Sequence, residues 1–195
     1  MPSTTRTQQR EQTRRALLRT SRRLFATKGY GAVGLSEIVS ETGVTKGALY
    51  HNFESKAALF GAVLEQVQQE VGARVAAAAE AVTDPWEQLV AGCECFLSAC
   101  TDPRIQRIML IDGPAVLGWN QWRALDAASS ARHLEQALHT LIEAGLLARQ
   151  PVAPLTHLLS GAMNEAALWL ATTTDLNALA DTSAALRRLL EGYRA

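Results

Sequence analysis

Cysteine is scarce, with three residues in 195. Cys93, Cys95 and Cys100 are odd in number and share one helical segment, which excludes a disulfide framework and predicts reduced thiols. No Cys or His stands beside them at zinc-site spacing, so no metal is expected. Aromatic residues make up only 6% of the chain, and no β-rich segment occurs in it. Long apolar runs are missing too. The longest weakly charged stretch, 150–174, contains two prolines, His157, Asn164 and Glu165, and reads as a buried helix rather than a membrane span. No apolar run follows Met1, so no secretory signal is expected and the cytoplasm is the expected compartment.

The formal net charge is zero, but the two ends differ. Residues 1–56 hold ten Lys/Arg against four Asp/Glu, and residues 57–195 hold nine against fifteen. A basic lobe ahead of an acidic one confines attraction for a polyanion to one end of the molecule. Arg6 and Arg10 open the basic lobe as an arm. A first helix over 8–28 follows, with Leu17, Leu24 and Phe25 inward, and Gly29 stops it. GYGAVG at 29–34 matches G-x-G-x-x-G, yet a basic helix precedes it where a dinucleotide site needs a strand, so no cofactor is expected.

The stretch 35–53, LSEIVSETGVTKGALYHNF, reads as two short helices on a tight turn. Leu35, Ile38 and Val39 share one face of the first helix, and Gly43 suits the left-handed conformation that ends it. Val44 buries the turn, and Thr45 caps the second helix through its hydroxyl. Ala48, Leu49 and Phe53 point inward, which leaves Lys46, Gly47, Tyr50 and His51 outward. Such a helix can enter a major groove with Thr45 and Lys46 at bases or phosphates, while Gly47 permits close approach. Ser55 is a second cap, and Lys56 in the first turn after it suits a phosphate. The same pattern also describes a plain helical corner with a solvated polar face.

From Leu24 to Phe60 the chain resembles the N-terminal domain of the TetR-type bacterial transcriptional regulators. Their G-V-[ST]-K-G-x-L-Y-x-x-F-x-[ST]-K core is present as GVTKGALYHNFESK. The match covers roughly the first third of the chain, and the remainder agrees only as a helical domain of suitable length. Gly34 stands where the family usually has a Thr or Ser cap, so the phosphate contact of that hydroxyl is not carried over. The resemblance implies an all-α protein with a three-helix helix-turn-helix DNA-binding domain at 1–54 and a helical ligand-binding and dimerisation domain at 55–195. The residues expected to face DNA are Ser36, Thr45, Lys46, Gly47, Tyr50, His51 and Lys56.

In the second domain a helix from Ser55 towards Ala81 buries Phe60, Val63, Leu64, Val67 and Val71 on one stripe and links the two lobes. Asp84-Pro85 and Asp102-Pro103 each start a helix, and GPAVLGWNQW at 113–122 marks a bent connection. A helix over 119–144 is expected, with Ala124, Ala127, Ala131, Leu134, Leu138 and Leu141 as core. Nearly opposite them fall Trp119, Trp122, Asp126, Ser129 and His133. The tryptophans either cover the preceding loop or line a ligand cavity with Cys93, Phe96, Cys100 and Met109, and Asp126 and His133 would be its polar groups. A Ser129/His133/Asp126 triad fails, because seven residues separate Asp126 from His133, about 10 Å along a helix. No other catalytic constellation is present, so an enzyme is not expected.

The last two helices are expected to begin near Pro154 and Asp175. In proteins resembling this family they pair with their symmetry mates, which assigns Leu155, Leu159, Ala162, Met163, Ala166, Leu179, Leu186, Leu190 and Tyr193 to a dimer interface. Their spacing fits an intramolecular core equally well. The function expected is a homodimeric regulator of palindromic double-stranded DNA, a repressor released by a small apolar or aromatic effector. A helical protein-interaction adaptor, or a small-molecule enzyme without DNA binding, is the alternative.

Overall fold

A computed structural model of the chain describes residues 3–195, with side chains from residue 6 onward. The described residues form α1 (Ser3–Lys28), α2 (Leu35–Thr42), α3 (Lys46–Asn52), α4 (Lys56–Glu80), α5 (Pro85–Cys100), α6 (Pro103–Gln106), a π-helix (Arg107–Asp112), α7 (Gly113–Leu117), α8 (Trp119–Ala127), α9 (Ser130–Glu143), α10 (Val152–Leu170) and α11 (Ala178–Glu191). The fold is all-α, as the periodicity predicts.

The head is built by local signals. Gly29 (φ +81°) ends α1 and Gly43 (φ +71°) ends α2, a backbone region that L side chains rarely adopt. Leu17, Leu24, Phe25, Ile38 and Leu49 are completely buried where α1, α2 and α3 meet. An aromatic trio then fastens this head to α4. Phe25, Tyr30 and Phe60 lie with ring centroids 5.2 to 5.7 Å apart, each contact worth about 0.5–1.5 kcal/mol beyond its buried area.

In the body, α4 buries Phe60, Val63, Leu64, Val67 and Val71 as its stripe predicts and packs along α5 and α9. The Asp84 and Asp102 caps form, accepting the backbone N–H of Glu87 and of Arg104, both at 2.9 Å. The bent connection expected at 113–122 consists of the short α7, the turn at Gly118 (φ +78°) and the start of α8, and the π-helix leads into it.

The single helix expected over 119–144 is corrected. It is broken at 128–129, between α8 and α9, where the Ser129 hydroxyl donates to the Gln68 carbonyl of α4 at 2.6 Å. The break also inverts the expected faces of α8, since Trp122 and Asp126 are buried and Ala124 and Ala127 exposed. Burying an indole gains far more than burying two methyl groups, and the Trp122 N–H finds an acceptor in the Met109 carbonyl at 2.7 Å. Beyond the break, Ala131, Leu134, Leu138 and Leu141 enter the core as expected.

Helix boundaries shift elsewhere for local reasons. Helix α1 begins at Ser3 rather than residue 8, and α10 begins at Val152, with Pro154 inside its first turn, where a missing N–H costs nothing. Asp175 lies in the turn before α11, where its carboxylate accepts the Asn177 N–H at 2.9 Å.

Candidate nucleic-acid interface and effector cavity

Helix α3 is presented as a recognition helix requires. Thr45 caps it, its hydroxyl oxygen accepting the Ala48 N–H at 3.1 Å, and that hydroxyl still has a proton to donate outward. Leu49 and Phe53 anchor the inner face. Thr45, Lys46, Gly47, Tyr50 and His51 are exposed, and Ser36 is exposed on α2. Arg14 braces the far end of α3, with its guanidinium 4.5 Å from the Phe53 ring centroid and 3.5 Å from the Asn52 carbonyl oxygen.

Lys56 stands apart from that set. Its ammonium lies over the Tyr30 ring at 4.0 Å and is half-buried. Burial pushes its pKa down, opposed by the Asp112 carboxylate. The basic lobe is also partly neutralised, because Arg15 pairs with Glu11, Arg23 with Glu41 and Lys28 with Glu37 inside it, and Arg22 with Glu70 of α4. Among the described residues of this lobe Arg6, Arg10, Arg14, Arg19, Lys46 and Lys56 form no salt bridge, so unpaired charge runs along α1 and flanks α3 at both ends.

The body holds a cavity of about 170 Å³ between α4, α5, α8, α9 and α10. Four residues expected at a ligand site line it: Cys93, Phe96, Asp126 and His133. Sequence reasoning missed Val75 and Ala79 from α4, Gly92 from α5 and Met163 from α10. Small side chains on facing helices were the signal, since a Cβ on Gly92 would come within 3.5 Å of Val75. Cys100 and Met109 are packed in the core away from the cavity. Trp119 and Trp122 line a different cavity, between α7, α8 and α10, because the inverted face of α8 turns them there.

Among the described residues Asp126 is the one buried carboxylate lining the cavity beside α4, 5% exposed. It pairs with the Arg123 guanidinium at 2.6 Å and accepts from the Ser160 hydroxyl at 3.3 Å. Burial raises its pKa, while Arg123, Ser160 and His157 act in the opposite direction. Burial likewise pushes the Cys93 and Cys100 thiols up to about 12, which keeps them protonated and poor nucleophiles. Ser129 is spent on the Gln68 carbonyl rather than on His133. Among the described residues no group of three or more His, Cys, Asp or Glu is placed to hold a metal ion, and no helix is long and apolar enough to cross a membrane.

The residues expected to pair two copies divide by burial. Leu155, Leu159, Met163, Leu186 and Leu190 are buried within this chain, whereas Ala162, Ala166, Leu179 and Tyr193 remain accessible. The large apolar side chains that α10 and α11 leave outside are Leu158, Trp169 and Leu189.

A capped, exposed basic helix set on a glycine turn against a three-helix core defines a helix-turn-helix DNA-binding protein. Two family models match the chain: bacterial regulatory proteins of the tetR family over residues 17–63, and the tetracyclin repressor-like C-terminal domain over residues 86–193. The chain belongs to the TetR family of bacterial transcriptional regulators. A solved TetR-family transcriptional regulator from Pectobacterium atrosepticum is 34% identical, superposes with a TM-score of 0.80 and shares coverage of 96% of each chain. The Transposon Tn10 TetC protein of Escherichia coli is 28% identical over 149 residues, 76% of this chain and 75% of that protein. The HTH-type transcriptional activator FasR of Mycolicibacterium smegmatis is 36% identical over 87 residues, 45% of this chain and 40% of that protein.

Proposed function

We propose that this regulator is a cytoplasmic homodimeric repressor that holds a palindromic operator and releases it when a small apolar or aromatic effector fills the cavity beside α4. Residues 1–54 read DNA in this scheme, and residues 55–195 bind the effector and pair the two copies. The observation that carries the reading is the reach of α4. The cap of this helix adjoins the recognition helix, and its other end supplies Val75 and Ala79 to the cavity wall. An occupant that favours one position of that wall therefore favours one position of the head, provided it binds the two states unequally.

The size and lining of the cavity suggest the effector class. A space of about 170 Å³ is close to the roughly 150 Å³ apolar cavity known to admit benzene. A single-ring molecule with one polar group directed at Asp126 or His133 suits it. Leu158, Ala162 and Trp169 on α10, with Leu189 on α11, form the accessible apolar stripe through which a second copy would pack as a four-helix bundle. A two-fold dimer sets two recognition helices on half-sites about 34 Å apart.

Fragments pulled down from the native host supply the duplex for the test, read by fluorescence anisotropy. Lys46→Ala and Tyr50→Phe are expected to weaken binding with helical content and dimer mass unchanged, and affinity should fall steeply with salt. Unchanged affinity in both variants would remove α3 from the recognition role. Deleting the gene should raise transcription from the bound promoter, and a fall instead would make the protein an activator.

A further inference from the structure

A cleft of about 390 Å³ lies where the head meets the body, walled by α1 on one side and by α4 and α6 on the other. Its volume falls within the range of about 300–1,000 Å³ common for small-molecule sites. Five guanidiniums line it: Arg19, Arg22 and Arg23 from α1, Arg74 from α4 and Arg104 from α6. The body supplies two of these although residues 57–195 hold only nine Lys/Arg against fifteen Asp/Glu. Two of its few cations are thus turned towards the arginines of the head. Ala26, Ile105 and Ile108 add an apolar patch to the same cleft.

Carboxylates do not balance this gathering. Glu70 is shared between Arg22, at 2.6 Å, and Arg74, while Glu41 takes Arg23 and Asp102 takes Arg104 at 3.1 Å. Among the described residues Arg19 forms no salt bridge, so five guanidiniums meet three carboxylates and two positive charges are left over. The field is felt at Asp102, whose carboxyl is held below its ordinary range by the Arg104 hydrogen bond, with the charge of Arg74 acting in the same direction. Like charges collected in a concavity repel one another and draw in an anion. A guanidinium carries five N–H donors, so even the paired arginines keep some to offer, and Arg19, Arg23, Arg74 and Arg104 are exposed.

Neither partner of the proposed function covers the cleft. None of its lining residues lies on α10 or α11, and Arg74 stands about 27 Å along α4 from Lys56, deeper in the body than a duplex seated on α3 reaches.

We propose that this cleft binds a small molecule carrying a phosphate dianion on an apolar group. A phosphate monoester brings about 1.5 to 2 negative charges at pH 7, which matches the excess, and its oxygens suit the forked donors of arginine. The apolar group lies on the patch of Ala26, Ile105 and Ile108. Such an occupant ties α1 of the head to α4 and α6 of the body. The assignment does not rest on the effector reading, because no residue lines both this cleft and the effector cavity.

Phenyl phosphate serves as the probe, titrated calorimetrically into the full chain in the absence of DNA. Saturable binding is expected, about three- to tenfold tighter than that of inorganic phosphate, which lacks the ring. Phenol, with the ring and no charge, should bind about tenfold more weakly or worse. Arg19→Ala and Arg104→Ala, both at exposed positions, should each weaken phenyl phosphate about three- to tenfold with helical content unchanged. Arg132→Ala removes an exposed charge from α9 and should change nothing. The proposal is overturned by an absence of saturable binding, by phenol or inorganic phosphate equal to phenyl phosphate, by an affinity that neither cleft variant moves, or by Arg132→Ala weakening it as much as they do. Operator release is not the readout, so a negative result here leaves the effector reading standing.

Discussion

The Asp112 carboxylate at the end of the π-helix accepts a hydrogen bond from the backbone N–H of Tyr30 at 2.8 Å, and the ring of that tyrosine carries the Lys56 ammonium at 4.0 Å. Body and head are thus joined at a point where a charged acceptor meets a partly buried main-chain donor. Asp112→Ala leaves that donor unmatched and should cost about 1–2 kcal/mol in urea denaturation. Asp112→Asn keeps an acceptor oxygen and should cost less. Equal losses in the two variants would show that the hydrogen bond is not what holds the joint.

Gly72 lies in the middle of α4, where alanine would ordinarily stabilise a helix by about 1 kcal/mol. Here a Cβ would sit 2.6 Å from the Ser129 hydroxyl oxygen. Gly72→Ala should therefore destabilise, by about 1–3 kcal/mol, and adding Ser129→Ala should recover part of the loss. Denaturant midpoints of the two single variants and the double one check the sign.

Gly34 caps α2 with an extended backbone, φ −92° and ψ 151°, and without a side-chain hydrogen bond. Any residue can adopt that conformation, so Gly34→Thr supplies a capping hydroxyl without strain. Stability should rise by a few tenths of a kcal/mol, about the difference between Gly and Thr caps. A hydroxyl at the N-terminus of α2 can also donate to a backbone phosphate, so tighter operator binding in an anisotropy titration should accompany it.

Asp126 binds its proton more tightly in the folded chain than a free Asp, whose pKa is about 3.9. Its contribution to stability is complete below the unfolded value and is lost as pH rises through the raised folded one. The stability of the wild type relative to Asp126→Asn should therefore increase as pH falls from neutral towards about 4. Urea midpoints across that window test it, and a flat difference would mean that Arg123 fully offsets the burial.

The helix-turn-helix was legible in the sequence because its signals are local. Gly43, Thr45 and the spacing of Ile38, Leu49 and Phe53 act within a few residues of one another, and the structure realises each of them. The face of α8 was not legible, because it depends on distant partners: Trp122 needs the Met109 carbonyl, and the break before α9 needs the Gln68 carbonyl. Periodicity alone extends one helix across both. The α4, α5 and α10 walls of the cavity beside α4 were hidden for another reason, since Ala79 and Gly92 stand out only once the helices are assembled and Met163 was expected at a dimer interface. Lys56 was expected at phosphate, and only the fold brings Tyr30 beneath it.

Helix α4 runs unbroken for 25 residues, from its Ser55 cap to Glu80 at the cavity it shares with α5 and α9. Such a rod is about 37 Å long. Used as a lever, it magnifies small displacements: a tilt of about 5° pivoted at the cavity sweeps the far end through about 3 Å, close to the roughly 3.4 Å step between stacked base pairs. In the proposed homodimer two levers tilting oppositely would double that mismatch, so walls parted by less than one bond length would be enough to put both heads out of step with the groove.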